Sequence, residues 1–271
     1  MPTAHLQPMN GMPGSKLQTA KMPGHWLLAR LGKRVLRPGG RAMTEAFLRD
    51  LGLNAGDDVV EFAPGLGLTA RKVLEAGPHS YTGVERDAEA AAWCAGHLPE
   101  GANIHVRVGS ADQTGLADGS ASVIVGEAML SMNSPVQKQR IMDEAYRILR
   151  PGGRYAIHEL LIVPDDLPAV IKEDMESALS AAIHVGARPL TRREWCDHLK
   201  QSGFEIIQVS TAPMNLLQPA RLVADEGVWR TIRFMKNVLT DHDARRRVLT
   251  MRRTFQKYRS HLRAVSVIAR K

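Results

Sequence analysis

The stretch VVEFAPGLGLTARKVLEAG, residues 59–77, followed by SYTGVERD at 80–87, decides how this chain is read. An apolar run ends at Phe62, small residues permit a sharp turn, an amphipathic segment closes on Gly77, and a second β-rich run ends in Glu85. That is strand, turn, helix and strand, the β-α-β unit of a parallel sheet. Gly65, Gly67 and Ala70 satisfy the G-x-G-x-x-G/A spacing, in which the missing Cβ atoms let a ligand approach the backbone and meet a helix N-terminus.

The carboxylates select the ligand. Glu61 stands just before the turn, where it would repel a pyrophosphate, and that leaves a nicotinamide-dependent oxidoreductase as the less favoured alternative. A cationic ligand reverses the preference. Glu85, 24 residues on at the end of the next strand, can accept from both hydroxyls of a ribose. Either carboxylate taken alone could be a solvated strand end, and the glycine spacing alone is weak evidence for any nucleotide.

The rest of the chain extends the alternation. Strands are expected near 58–62, 80–84, 104–108, 121–126, 154–162, 204–210 and 264–269, with helices near 68–76, 87–97, 134–149 and 191–202. Asp87 and Ser134-Pro135 read as helix starts, Gly77 and Gly203 as helix stops, and Thr191-x-x-Glu194 as a capping box. Residues 1–20 read as a loose arm, and the helical pattern from Trp26 to Leu51 is broken by RPGG at 37–40. In the segment 213–262, Val248, Met251, Phe255, Tyr258 and Leu262 fall on one face of a helix whose other face carries arginines.

Net charge is +8 over 271 residues, spread as +6 on 1–50, −8 on 51–212 and +10 on 213–271. Basic ends flanking an acidic middle fit an acidic partner, nucleic acid or lipid headgroups, or simply solvated helix faces. The two cysteines, Cys94 and Cys196, offer neither a disulfide framework nor a metal quartet. No apolar run approaches membrane-spanning length and the first residues lack a signal-peptide core, so a cytoplasmic location is expected.

Three further stretches, VGSADQTGLADGSASVIVGEAML (108–130), RILRPGGRYAIHEL (147–160) and LTRREWCDHLKQSGFEIIQVS (190–210), follow the glycine turn in order. With it, they resemble the class I S-adenosylmethionine-dependent methyltransferases, and most closely the small-molecule branch that includes the quinone-biosynthesis C-methyltransferases. The resemblance implies a Rossmann-like, seven-stranded, mostly parallel α/β sheet over 55–212 plus 263–271, with helices on both faces. Residues 1–54 would form an arm and lid, and 213–262 a helical insertion, together capping the sheet.

The resemblance also implies roles. Glu61, Ala63, Pro64, Gly65 and Gly67 would hold the methionine part of S-adenosylmethionine. Glu85 would take the ribose, Arg86 would lie beside the adenine, Ser110 and Ala111 at its edge, and Gly126 would offer a carbonyl near the amino group. Ala63 stands where the family usually has a first glycine. Ser110 stands where it often has Asp, so Asp112 is a substitute.

His158 is the candidate base, though it could equally be a buried strand residue. Glu127, Met129, Met132, Glu159 and His184 are candidates for contact with the acceptor, which is expected to be a small molecule, partly apolar or anionic. The basic helix near 244–263 keeps an RNA acceptor as an alternative. No metal is expected, and oligomeric state is left open.

Overall fold

The computed structural model describes residues 11–271; the first ten residues of the expected loose arm lie outside it. The expected strands form as β1 (Asp58–Phe62), β2 (Ser80–Glu85), β3 (Ile104–Val108), β4 (Ala121–Glu127), β5 (Leu149–Ile162), β7 (Glu205–Pro213) and β8 (Leu262–Arg270). A two-residue β6 (Leu190–Thr191) adds to β5. The sheet order is β3-β2-β1-β4-β5-β8-β7, with β8 antiparallel to both neighbours and β1 to β5 parallel.

Helices α3 (Leu68–Glu75), α4 (Ala88–Ala95), α5 (Pro135–Ile148) and α7 (Arg192–Gln201) connect these strands. Their starts are those the sequence signals. Asp87 accepts the Glu89 and Ala90 N–H groups at 2.9 and 3.1 Å, Ser134 accepts from Gln137, and Thr191 and Glu194 cap each other reciprocally. Each satisfies N–H groups that a first helical turn otherwise leaves without partners.

One boundary differs. The Pro151-Gly152-Gly153 turn was expected to precede β5, but Leu149 already pairs with Ala121, and the register shifts before Val123 meets Arg154. The turn is a bulge inside the strand, a local insertion that antiparallel and parallel ladders tolerate by bending.

The segments outside the sheet pack on one another. Helices α1 (Gly24–Arg30) and α2 (Gly40–Leu51) flank the expected RPGG break, α6 (Ala169–Ile183) follows β5, and α8 (Pro219–Glu226), α9 (Val228–Thr240) and α10 (His242–Lys257) occupy the insertion. Leu27, Leu28 and Leu31 of the N-terminal part share one apolar cluster with Ala182, Leu222, Phe234, Val238, Val248 and Met251. The arm is thus not loose over its described part: Met12 is buried, and the Gly14 N–H donates to Glu89. The α10 face is buried as expected at Val248 and Met251, but the helix ends at Lys257, so Tyr258 caps it and Leu262 opens β8. Nor are all its arginines outward. Arg247 is buried and donates to the carbonyls of Thr19 and Met22, both at 2.6 Å.

A second polar staple joins the two ends of the chain. Lys33, fully buried, has its ammonium 3.6 Å from Glu226 and 3.9 Å from Asp225. Glu226 also accepts the Arg34 and Val35 N–H groups, both at 2.8 Å, and Asp225 accepts that of Arg41. A single carboxylate at the end of α8 therefore satisfies two N–H donors of the 33–41 strap and faces the Lys33 ammonium at ion-pair distance. Glu226→Ala leaves the buried ammonium with only Asp225, at 3.9 Å, and two N–H groups unpaired, and breaking buried pairs of this kind costs about 3–5 kcal/mol. Urea unfolding should show a loss of that size; a loss below about 1 kcal/mol would mean water replaces the carboxylate.

Candidate active site

The glycine turn needs left-handed backbone at three positions in five residues: Ala63 (φ 54), Gly65 (φ 54) and Gly67 (φ 72). Ala63 takes the conformation with a Cβ, which costs on the order of 1–2 kcal/mol against glycine. Its N–H is held by the Val84 carbonyl at 2.8 Å, which fixes the turn against β2. Gly67 caps α3, and a Cβ there would stand 3.1 Å from Cys94 Sγ. Gly67 thus shapes the turn without lining the cavity above it.

That cavity, about 490 Å³, opens at the carboxyl ends of β1, β2 and β4, where open α/β sheets bind ligands. Of the residues that the resemblance assigns to the cofactor, Glu61, Ala63, Pro64, Gly65, Glu85, Arg86, Ser110 and Ala111 line it. Gly126 and Asp112 do not. Gly126 lies beneath Met129 and Tyr155, and Asp112 is occupied by Ser110 Oγ and by Gln137 Nε2 (2.9 Å), so the cavity wall at this edge is Ser110 itself.

The two carboxylates are distinct groups. Glu61 is buried with one direct partner, the Tyr81 hydroxyl, which donates at 2.8 Å. Burial pushes its carboxyl up to about 8, and Glu127 and Glu85 add to the shift, against the opposing Tyr81 bond and Arg37. Glu85 accepts the N–H groups of Gly65 and Asp87, both at 3.1 Å, and burial raises its pKa too.

Glu127 is a third carboxylate, at the end of β4. Thr44 donates to its Oε1 at 2.7 Å, His158 Nδ1 lies 2.7 Å from the same oxygen, and Arg37 and Thr69 converge on Oε2. Burial works against ionisation, but Arg37, His158 and Thr69 outweigh it and hold the carboxyl at about 2. Arg37 and Thr69 were missed by sequence reasoning; the RPGG signal located a turn, not the arginine it aims inward.

The remaining candidates are sorted by their partners. His158 is fully buried behind Glu127, edge-on to Phe47 at 5.7 Å, and does not line the cavity. Glu159 reaches the wall but its oxygens accept the N–H groups of Met129 (2.9 Å), Leu130 (2.6 Å) and Ser131 (3.0 Å) and the Ser131 hydroxyl (2.6 Å). Its role is to fold the loop after β4. His184 is exposed at the end of α6 and does not line the cavity. Met129 and Met132 do line it.

Further lining comes from the cover: His25 and Trp26 of α1, Arg34 and Leu36 of the strap, Leu179 and Ile183 of α6, and Met214, Leu216, Met251 and Phe255. Burial pushes the His25 imidazole down to about 4, against the pull of Asp87. Among the described residues no cluster of His, Cys, Asp and Glu has metal-binding geometry.

Residues 59–153 match the family model described as a methyltransferase domain. An uncharacterized protein of Haemophilus influenzae is 29% identical over 251 residues, covering 92% of this chain and 98% of that protein. The 27-O-demethylrifamycin SV methyltransferase of Amycolatopsis mediterranei is 29% identical over 168 residues, 60% of this chain and 59% of its own length. Among solved structures, phosphoethanolamine N-methyltransferase 2 of Haemonchus contortus, in complex with S-adenosyl-L-methionine, superposes with a TM-score of 0.70 at 17% identity, over 92% of this chain and 56% of that one. Residues 59–153 thus match a methyltransferase domain, and the sheet with its cover shares the fold of a methyltransferase solved with S-adenosyl-L-methionine bound.

Two measurements follow from the carboxylates. A Glu61 carboxyl at about 8 is mostly protonated at pH 7, and a cation beside it favours ionisation. Cofactor binding at pH 7 should therefore release nearly one proton, and affinity should rise roughly tenfold per pH unit up to about 8, then level off. Calorimetry in buffers of different ionisation enthalpy reads this directly; Glu61→Gln should abolish the release, and no release from the wild type would put the Glu61 carboxyl in the ordinary range. Separately, Glu85→Ala should weaken binding of S-adenosylhomocysteine by about 1.5–3 kcal/mol, the scale of charge-assisted hydrogen bonds. Isothermal titration checks it, with NAD as the control that should not bind.

Proposed function

We propose that the chain transfers a methyl group to a small acceptor with an apolar body and an anionic group, enclosed between the ends of β4 and β5 and the helical cover. The observation that carries this reading is the lining of the cavity beyond the carboxylates. Leu36, Met129, Met132, Leu160, Leu179, Ile183, Met214, Leu216 and Phe255 form an apolar wall, while Arg34 stands at the rim. Arg34 is partly desolvated and lies within the fields of Arg230, Arg71 and Arg233, which together lower its pKa. A positive rim over an apolar chamber selects an amphipathic anion. The cover leaves a chamber of small-molecule size and does not favour an RNA acceptor, and the pair Glu61 and Glu85 does not favour a nicotinamide dinucleotide.

S-adenosylmethionine supplies an electrophilic methyl group on a sulfonium. In this reading Glu61, Ala63, Pro64 and Gly65 hold its methionine part, Glu85 the ribose, and Arg86, Ser110 and Ala111 the adenine. Glu61, ionised once a cation lies beside it, complements the positive charge. The helical cover excludes water and fixes the acceptor, and alignment of this kind supplies most of the rate in an in-line displacement.

In this reading neither carboxylate on the acceptor side of the cavity, Glu127 or Glu159, is free to remove a proton from the acceptor. Glu127 is held ionised by Arg37, His158 and Thr69, and Glu159 is saturated by four donors. His158, behind Glu127, acts in this reading as a positioning residue. The acceptor atom therefore arrives as a nucleophile already: a thiolate, an amine, or an oxygen or carbon of a readily ionised enol or phenol. The quinone-type acceptor that the sequence resemblance suggests fits the last class and the apolar wall.

A labelled-methyl screen of metabolite fractions should recover product from the apolar, acidic fraction; product from RNA alone would overturn the reading. Arg34→Gln should raise KM for that acceptor about 3- to 10-fold, with cofactor affinity unchanged. His158→Gln, which keeps a donor for Glu127, should lower turnover by less than about 10-fold and leave the low-pH limb of the rate profile in place. A loss of about 10² to 10⁴ together with disappearance of that limb would identify His158 as a general base.

A further inference from the structure

Helix α9 carries an apolar face that the fold does not use. Its inner side, Phe234 and Val238, packs into the cluster shared with α1. A separate stripe, Val228, Ile232, Met235 and Leu239, at spacings of four, three and four, stays 44–61% exposed. Beside it Trp229 is 84% exposed, the largest apolar side chain so displayed. Single exposed apolar residues are ordinary, but a continuous stripe with a tryptophan on one helix marks an interaction surface.

The charges on the same helix indicate what covers it. Arg230, Arg233 and Lys236 follow the stripe around the helix and α9 contains no acidic residue. Pairing with a second copy of this chain about a two-fold axis would bring these like charges together across the contact. A surface of negative headgroups over an apolar interior complements both features at once. Tryptophan also prefers the boundary between water and hydrocarbon.

We propose that α9 is an interfacial helix that lies on an anionic phospholipid bilayer, its stripe entering the acyl boundary and its basic flank meeting the headgroups. No helix among the described residues is long and apolar enough to cross a membrane, so the attachment is peripheral. The placement has a consequence for the cavity. Asn237 of α9 donates to the Leu31 carbonyl at 2.9 Å, and Leu28 of α1, in the same apolar cluster as α9, lines the cavity. The docked face is therefore the back of the cavity's own cover, next to Arg34 at the rim. An amphipathic acceptor can pass from the bilayer to the chamber with little exposure to water. The inference does not depend on which acceptor is methylated, since membrane binding is read without turnover.

The test is flotation of the full chain with vesicles of phosphatidylcholine, alone or with about 30 mol% phosphatidylglycerol. Wild type should bind the anionic vesicles at least about tenfold more tightly than the neutral ones, less so at high salt. Ile232→Glu with Leu239→Glu should lower that affinity about a hundredfold while S-adenosylhomocysteine binding, which confirms the fold, is kept. Should that pair fail to fold, Arg230→Gln, Arg233→Gln and Lys236→Gln together decide: they should remove the preference for anionic lipid and keep the stripe. Absence of wild-type binding, or binding indifferent to either set of changes, overturns the proposal. So does a dimer in sedimentation velocity that Ile232→Glu with Leu239→Glu splits, which would assign the stripe to self-association.

Discussion

The ionised Glu127 carboxylate, clamped by Arg37, is the contact on which the arrangement of the site depends. It stands at the end of β4, in the middle of the sheet, and its two oxygens gather donors from the strap, α2, α3 and β5. A carboxylate this buried is tolerable only if its negative charge is compensated and its lone pairs are filled, and here both conditions are met by elements that are distant in sequence. The strap is consequently drawn down against the mouth of the cavity. Removing Glu127 would leave the Arg37 guanidinium without its counter-charge and free the cover from the sheet.

The same logic explains how the basic ends sit on an acidic middle. Lys33 is neutralised by Asp225 and Glu226, and Arg247 is spent on the carbonyls of Thr19 and Met22. The N-terminal part and the 213–262 segment are thereby one layer, with a common apolar cluster, laid across the carboxyl ends of the strands. Part of the remaining positive charge, Arg230, Arg233 and Lys236, is displayed on α9.

Much of this was legible in the sequence, and the divide between what was and was not has a physical cause. The β-α-β unit, the two carboxylates at strand ends and the helix caps are local patterns, encoded within a few residues of one another. Each of them appears where expected. The cavity residues that escaped, Arg37, Thr69, His25 and Trp26, act through partners dozens of residues away, and nothing in their immediate neighbourhood marks them. His158 and Glu159 show the converse. Adjacent residues of a strand point to opposite faces, but that His158 meets Glu127 and Glu159 meets the donors of Met129, Leu130 and Ser131 depends on the register of β4 against β5 and on the fold of the 128–131 loop. The bulge at Pro151–Gly153 was unreadable for the same reason, since pairing partners set it.

The proposed function rests on one division of labour, in which Glu61 would change its protonation when the cofactor binds and Glu127 would not, leaving the site to offer the substrate charge and shape and no proton acceptor. Carboxyl ¹³C NMR of glutamate-labelled protein, assigned through Glu61→Gln and Glu127→Gln, observes both groups directly. The Glu61 resonance should titrate near 8 without cofactor and fall to a lower pKa when S-adenosylmethionine is added. The Glu127 resonance should remain that of a carboxylate throughout the range from about pH 5 to about pH 9. A Glu127 signal that titrates within that range would contradict it, because Glu127 would then be a base poised at the acceptor.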